Sequence, residues 1–234
     1  MPEPLRAEFF CISCRTPFAN EFPLDLEGRC GLCRSGLRGF DAAYSYGAYD
    51  GHLREMIHLL KYRRMRELAS PLGKFLLDAL PRDEAFDAIV PVPLHWRREW
   101  DRGFNQADLL ARVLAKSAGL PCRHALRRAK STAAQAGLSN SGRRRNVAQA
   151  FRCHRPRSVQ GKRILLIDDV MTTGSTAAAC ALALKRAGAK RVALLTVRAR
   201  RPASGRQAPR DGDFNGGGKC PKCRMNDCRN PCWC

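Results

Sequence analysis

The stretch that decides the fold runs from Ile164 to Thr176 and reads ILLIDDVMTTGST. Four apolar residues lead into two adjacent carboxylates, and a turn rich in hydroxyl groups then opens a segment with helical periodicity. Backbone N–H groups and the positive dipole end at the start of a helix form a binding site for phosphate. The candidate phosphate ligands are Thr172, Thr173, Gly174, Ser175 and Thr176.

The two acids, Asp168 and Asp169, follow the apolar run of this predicted strand. Open α/β sheets bind their ligands at the carboxyl ends of their strands. Neighbouring carboxylates there can accept hydrogen bonds from the vicinal hydroxyl groups of a ribose, directly or beside Mg²⁺. A helix cap beside an acidic strand end is the competing interpretation. The stretch is not a Walker loop, because no Gly-Lys-Ser/Thr sequence follows.

Strand-like and helical segments alternate around this stretch. Apolar runs predict strands at residues 42–49, 86–92, 163–167 and 191–197. Helical spacing of apolar residues predicts helices at residues 52–62, 68–80, 106–118 and 175–187. This alternation predicts an α/β fold, in which helices flank a parallel sheet.

Four cysteines near the N-terminus follow the spacing Cys-x₂-Cys-x₁₅-Cys-x₂-Cys; they are Cys11, Cys14, Cys30 and Cys33. Two matched Cys-x₂-Cys pairs are typical of a tetrahedral zinc ribbon. Residues 1–40 are too few to bury a core of their own, so structural Zn²⁺ would hold them together. Redox chemistry of a Cys-x₂-Cys pair is the alternative.

The C-terminal part of the chain differs in composition. Residues 202–219 form a basic linker rich in Pro and Gly, and a Cys-rich tail spans residues 220–234. The tail holds either a possible second zinc site or redox-active thiols, at Cys220, Cys223, Cys228, Cys232 and Cys234. Three further cysteines are isolated in sequence and predicted to be packing residues: Cys122, Cys153 and Cys180.

Composition limits the function classes. The chain has 234 residues, 44% of them hydrophobic, which excludes wholesale disorder and suits one full domain plus a small module. It has no apolar run of the ~18–20 residues that a membrane span needs and no signal peptide, so we expect a cytoplasmic protein. The net charge of +21 favours phosphorylated small molecules or nucleic acid as partners, although an Arg-rich solvated surface also accounts for it.

A second motif spans Ile89 to Ala107 and reads IVPVPLHWRREWDRGFNQA. Proline cannot donate a ladder hydrogen bond, so the Pro-Val-Pro-Leu run must leave the sheet. The arginines that follow could bind a diphosphate or be ordinary surface charge: Arg97, Arg98 and Arg102. Residues 129–150 form a long polar loop, which is typical of a lid.

These motifs resemble known families. Residues Ile164 to Thr176 are similar to the motif with which type I phosphoribosyltransferases bind 5-phosphoribosyl-1-pyrophosphate (PRPP). This motif, the Pro-Val-Pro-Leu run, the Arg-Gly-Phe-Asn-Gln run and the pattern of polar residues in the loop at 129–150 together resemble the ComF family of competence-associated proteins. The resemblance covers about residues 8–200. The resemblance implies a zinc ribbon at 1–40 and a type I phosphoribosyltransferase sheet at 41–201.

The resemblance also implies roles for the site residues. Asp168 and Asp169 would bind the ribose 2′- and 3′-hydroxyls, and residues 172–176 the 5′-phosphate. The arginines would lie in the pyrophosphate loop, and a hood over the site would contain Thr132, Gln135, Arg143 and Asn146.

The expected function is PRPP binding with Mg²⁺, associated with natural competence, in which single-stranded DNA and competence proteins would be partners. Phosphoribosyl transfer is the expected activity. One alternative is a non-catalytic module that binds single-stranded DNA or acts as an adaptor. Another is a phosphoribosyltransferase of nucleotide salvage.

Overall fold

The computed structural model describes residues 9–13, 17–18, 24–34, 39–48, 51–128, 150–171 and 174–199. The chain divides into two compact units, Met1–Pro202 and Ala203–Cys234, and all described residues lie in the first. The division predicted from the sequence, into residues 1–40, 41–201, 202–219 and 220–234, stays a prediction.

The strands and helices follow each other in an order typical of α/β proteins. In chain order they are β1 (Phe9–Phe10), β2 (Pro17–Phe18), α1 (Gly31–Arg34), β3 (Ala42–Ala48), α2 (Gly51–Tyr62), α3 (Ala69–Asp78), β4 (Ala88–Pro91), α4 (Trp96–Arg102), α5 (Gln106–Ala118), β5 (Leu126–Arg128), β6 (Phe151–Cys153), β7 (Arg163–Met171), α6 (Ser175–Arg186) and β8 (Arg191–Ala199).

The central sheet has four strands in the order β3-β8-β7-β4, and every neighbouring pair is parallel. Two antiparallel pairs, β1-β2 and β5-β6, lie outside it. The two central strands, β7 and β8, are almost continuously apolar, as strands covered on both faces must be. This confirms the predicted α/β class.

Side chains of the sheet alternate between two buried clusters. Ile164 and Leu166 of β7 pack with α6 and with the β5-β6 pair, whereas Leu165 and Ile167 pack with α2, α3 and α5. This alternation follows from the two-residue period of a strand. The sheet is thus the middle of three layers.

Strand β7 is longer than predicted. The sequence predicts its end at Ile167, but it continues to Met171 because β8 pairs with it along this whole length. Asp168 faces Thr196 in that pairing, and Met171 faces Ala199. The two acids therefore lie within the strand, where the ladder fixes their backbone.

A close approach fixes the segment that leads into β3. A Cβ atom on Gly39 would lie 2.2 Å from the backbone oxygen of Ala178 and 2.7 Å from the backbone nitrogen of Leu182. Both atoms belong to α6, so no side-chain movement can make room. Only glycine fits here.

We expect Gly39→Ala to destabilise the protein by about 1–3 kcal/mol, because overpacking against backbone forces a helix to move. Gly31→Ala is the matched control, since its Cβ would meet nothing nearer than the flexible Arg34 side chain at 3.7 Å. Urea unfolding of both variants measures the difference. Equal midpoints would contradict the close approach.

Candidate functional site

The two adjacent acids of β7 have different surroundings. Asp169 is 4% exposed, and the Lys61 ammonium group at the end of α2 makes an ion pair with its carboxylate. Asp168 is half-buried, and its Oδ1 accepts a hydrogen bond from the Asp169 backbone N–H at 2.9 Å. Burial, and then the charge of Asp169, raise the pKa of the Asp168 carboxyl well above its ordinary value. Among the described residues, Lys61 makes an ion pair with one of these two carboxyl groups, and such an arrangement favours a further hydrogen-bond donor or cation.

The predicted phosphate loop leads from β7 into α6. Gly174 has φ +74°, a left-handed conformation that glycine adopts without strain, and α6 begins at the next residue. Ser175 and Thr176 occupy the first turn of α6. The positive end of the helix dipole at such a first turn favours an anion. Thr172 and Thr173 lie outside the described residues.

A basic cleft of roughly 450 Å³ lies beside the acids. It is lined by Lys61, Tyr62, Arg64, Arg98, Asp101 and Arg102. Four cations and one carboxylate give its walls a positive charge, which suits a polyanion. Lys61 belongs to both places, because it lines the cleft and also contacts Asp169.

The three arginines of the second motif lie in two different places. Arg98 and Arg102 line the basic cleft, and the Arg102 guanidinium also lies 5.3 Å from the centre of the Tyr62 ring. Arg97 instead lies over the Trp96 ring at 5.2 Å. The segment that carries them forms α4, a short helix that the sequence analysis predicted as a loop.

The Arg-Gly-Phe-Asn-Gln element is a positioning device. Gly103 ends α4 with φ +75°, and Phe104 is buried in the core. Asn105 caps α5 by accepting the Ala107 N–H at 3.0 Å, and its amide donates to the Val92 carbonyl at 3.0 Å. The element thereby ties the end of β4 to the end of α4 and the start of α5, and it holds Arg102 at the cleft.

Sequence reasoning missed Lys61 and Arg64. Lys61 lies in the last turn of α2, and Arg64 follows the end of this helix. The Lys-Tyr-Arg-Arg run could have indicated them, because cations are favourable at the C-terminus of a helix. Among the described non-glycine residues, only Arg64 has a positive φ, 55°. Its guanidinium donates to the Asp101 carbonyl across the cleft. Backbone conformations of this kind concentrate at functional sites.

The predicted hood is flanked by β5 and β6. These strands pair antiparallel, and the Arg128 guanidinium lies 5.4 Å from the centre of the Phe151 ring. The candidate hood residues between them lie outside the described residues: Thr132, Gln135, Arg143 and Asn146.

Three N-terminal cysteines form a cluster. The Sγ atoms of Cys11, Cys30 and Cys33 lie within 4.8 Å of one another, and none of the three is in a disulfide. Cys11 and Cys33 are 3.6 Å apart between sulfurs, near the roughly 3.8 Å expected for two thiolates on one tetrahedral zinc. The Cys30 backbone N–H also points at the Cys11 sulfur, at 3.3 Å. The cluster could hold a metal ion.

The fourth predicted ligand, Cys14, lies outside the described residues. So do the cysteines of the tail: Cys220, Cys223, Cys228, Cys232 and Cys234.

If the N-terminal cysteines bind zinc, Cys30→Ser should abolish that binding and lower Tm by about 5–10 °C, since a saturated ligand contributes ~3 kcal/mol at 100 times its Kd. A strong chelator should lower the Tm of the unaltered protein similarly. The matched control is Cys153→Ser, outside the cluster. Metal analysis and thermal unfolding measure both effects; an unchanged zinc content in Cys30→Ser would contradict this assignment.

Comparisons with known proteins identify a domain and relatives of this chain. The family described as "Phosphoribosyl transferase domain" matches residues 101–217. The chain is 40% identical to the DNA utilization protein YhgH of Escherichia coli O6:H1 over 172 residues, which are 70% of this chain and 74% of that protein. It is 33% identical to competence protein F of Haemophilus influenzae over 172 residues, 70% of this chain and 75% of that protein.

Similarity to solved structures is more distant. The structure of the allosteric regulatory enzyme of purine biosynthesis aligns at a TM-score of 0.41 and 22% identity, over 56% of this chain and 26% of that chain. The chain thus spans about a quarter of that enzyme, and the fold described above does not depend on this alignment. In the part of the chain that the structure describes, every helix is too short or too polar to traverse a bilayer.

Proposed function

We propose that this chain, which belongs to the ComF family and contains a phosphoribosyl transferase domain, binds PRPP with Mg²⁺ at the carboxyl edge of its sheet. One observation carries the proposal. Lys61 contacts the buried Asp169 carboxylate and also lines the cleft that contains Arg98 and Arg102. A site for ribose hydroxyls therefore borders a site for a diphosphate.

The three parts of PRPP match three parts of this edge. The vicinal ribose hydroxyls would donate to the carboxylates of Asp168 and Asp169. The 5′-phosphate would lie at the start of α6, where Gly174 lets the backbone come close. The diphosphate would lie in the basic cleft, against Arg98 and Arg102.

Phosphoribosyl transfer is the proposed reaction of this site. The bond between ribose C1 and a pyrophosphate oxygen breaks, the electron pair leaves with pyrophosphate, and a nitrogen nucleophile bonds to C1 from the opposite face. Arg98, Arg102 and Lys61 would stabilise the negative charge that develops on the leaving group. Mg²⁺ would supply further charge neutralisation on the diphosphate. The predicted hood would exclude water, which otherwise hydrolyses the donor.

The test is a calorimetric titration of PRPP with Mg²⁺ into the zinc-loaded protein. We expect Asp168→Asn to weaken binding about 10–100-fold, because a hydrogen bond to a charged group contributes ~1.5–3 kcal/mol. Arg98→Gln should have a similar effect. Arg97→Gln is the matched control, since it removes the same charge from the same helix but outside the cleft.

Absence of PRPP binding by the unaltered protein would overturn the proposal. Equal losses of PRPP affinity in Arg97→Gln and Arg98→Gln would show that the positive surface attracts anions in general, without a specific diphosphate site in the cleft. If PRPP binds, pyrophosphate release in the presence of each nucleobase decides between a salvage enzyme and a binding protein without turnover.

Single-stranded DNA binding is a second candidate function, favoured by two exposed tryptophans. Trp96 and Trp100 are 60% and 85% exposed, and they lie four residues apart on α4, hence on one face. The neighbouring basic cleft would attract the phosphate backbone, and the rings would stack on bases. A relative of this chain is named a DNA utilization protein.

We expect Trp100→Ala to weaken binding of a single-stranded oligonucleotide about tenfold, because stacking on one base contributes ~1–3 kcal/mol. Leu77→Ala, which truncates an exposed apolar residue on α3, should leave affinity unchanged. Fluorescence anisotropy at several salt concentrations measures both. An affinity that falls with salt but is equal in the two variants would show that α4 is not the platform.

A further inference from the structure

A second cluster of metal-binding side chains lies apart from the N-terminal cysteines. Asp108 in the first turn of α5, and Cys122 and His124 in the segment after α5, place one oxygen, one sulfur and one nitrogen within 4.8 Å of one another. We propose that these three residues bind a divalent ion of the zinc class, with a fourth coordination position open.

The segment that carries two of the ligands is held in place by the sheet. The Ile89 N–H donates to the Pro121 carbonyl at 2.9 Å, and the Arg123 N–H donates to the Ile89 carbonyl at 2.8 Å. Residues 121–123 thereby add an edge to β4. Cys122 pairs with Ile89 of β4, and the chain turns at His124, because the Ala125 N–H donates to the Arg123 carbonyl at 2.9 Å.

The third proposed ligand, Asp108, is held by a neighbour on its own helix. Arg112 lies one turn after Asp108 on α5, and its Nε donates to Asp108 Oδ2 at 3.0 Å. This contact leaves the other oxygen, Oδ1, facing His124 Nε2 at 2.5 Å. An outer hydrogen bond that orients a carboxylate in this way is typical of metal sites.

The donor set selects the kind of metal. A thiolate, an imidazole and a carboxylate suit Zn²⁺ or Co²⁺, whereas Mg²⁺ and Ca²⁺ require oxygen ligands. The two anionic ligands would offset the charge of a divalent ion.

The position of this cluster suits an ion with an open coordination site. His124 is exposed, and it also lines a cleft of roughly 260 Å³ with Pro93, His95 and Asn105. Three protein ligands leave one position of a tetrahedral ion for water or a substrate atom. The ion would therefore lie at the rim of this cleft. Cys122, predicted from the sequence to be an isolated packing residue, lies half-buried among potential ligands.

Metal stoichiometry of the full chain tests this proposal. The unaltered protein and the variants His124→Ala and Cys122→Ser are loaded with Zn²⁺, dialysed and analysed for metal. We expect each variant to bind one equivalent fewer than the unaltered protein, while the matched control Cys153→Ser binds the full amount. In Co²⁺-loaded protein, the thiolate-to-cobalt absorption should lose intensity in Cys122→Ser but not in Cys153→Ser.

Equal zinc content in the unaltered protein and in folded His124→Ala would overturn the proposal and leave a His124–Asp108 ion pair only. His124→Ala decides the matter if Cys122→Ser does not fold, because the imidazole is 48% exposed and its truncation leaves no buried cavity. Circular dichroism verifies the fold of each variant. The outcome is independent of PRPP, since no step of the test uses it.

Discussion

The ion pair between Lys61 and Asp169 is the interaction on which the proposed site depends. The Asp169 side chain is 4% exposed, and burial of a carboxylate without a partner of opposite charge costs several kcal/mol. Lys61 supplies that charge from the end of α2. The same contact fixes the basic end of α2 beside the sheet edge, so that Arg64, Arg98 and Arg102 form one cleft with it. Loss of Lys61 would therefore remove both the partner of Asp169 and a wall of the cleft.

The N-terminal cysteines pack in the same buried cluster as α6, the helix that follows the predicted phosphate loop. Cys11 and Cys30 are buried in the same cluster as Ala177 and Ala178 near the start of α6. Gly39 meets the same helix, at backbone distance. A metal ion in the cysteine cluster would stabilise this packing, and it would hold the helix whose first turn is proposed to bind phosphate. We therefore infer a positioning role for the N-terminal module, at a distance from the reacting atoms.

Regular, strongly patterned elements could be predicted from the sequence. Helix α5 has the predicted bounds, Gln106–Ala118, because its apolar period, its Asn105 cap and its terminal glycine all agree. Helix α4 was missed, since a seven-residue helix defined by His95 and Gly103 at its ends has no apolar period. The end of β7 was misplaced because its length is set by pairing with β8, which the local sequence does not reveal.

Contacts between distant parts of the chain could not be predicted in this way. Lys61 and Asp169 are on different elements, as are Asp108 and His124, and only the packing of helices on the sheet brings them together. The motifs that resemble a known family predicted a site at the carboxyl edge of the sheet, and this stays a prediction. They did not distinguish Arg98 and Arg102, which line the cleft, from Arg97, which lies over Trp96.

A crystal structure of the protein with PRPP and Mg²⁺ tests the central claim most directly. The account predicts the ribose hydroxyls within hydrogen-bond distance of Asp168 and Asp169, and the diphosphate against Arg98 and Arg102. PRPP bound elsewhere, or well-diffracting crystals grown at saturating PRPP in which neither the carboxyl edge nor the basic cleft holds PRPP, would contradict it.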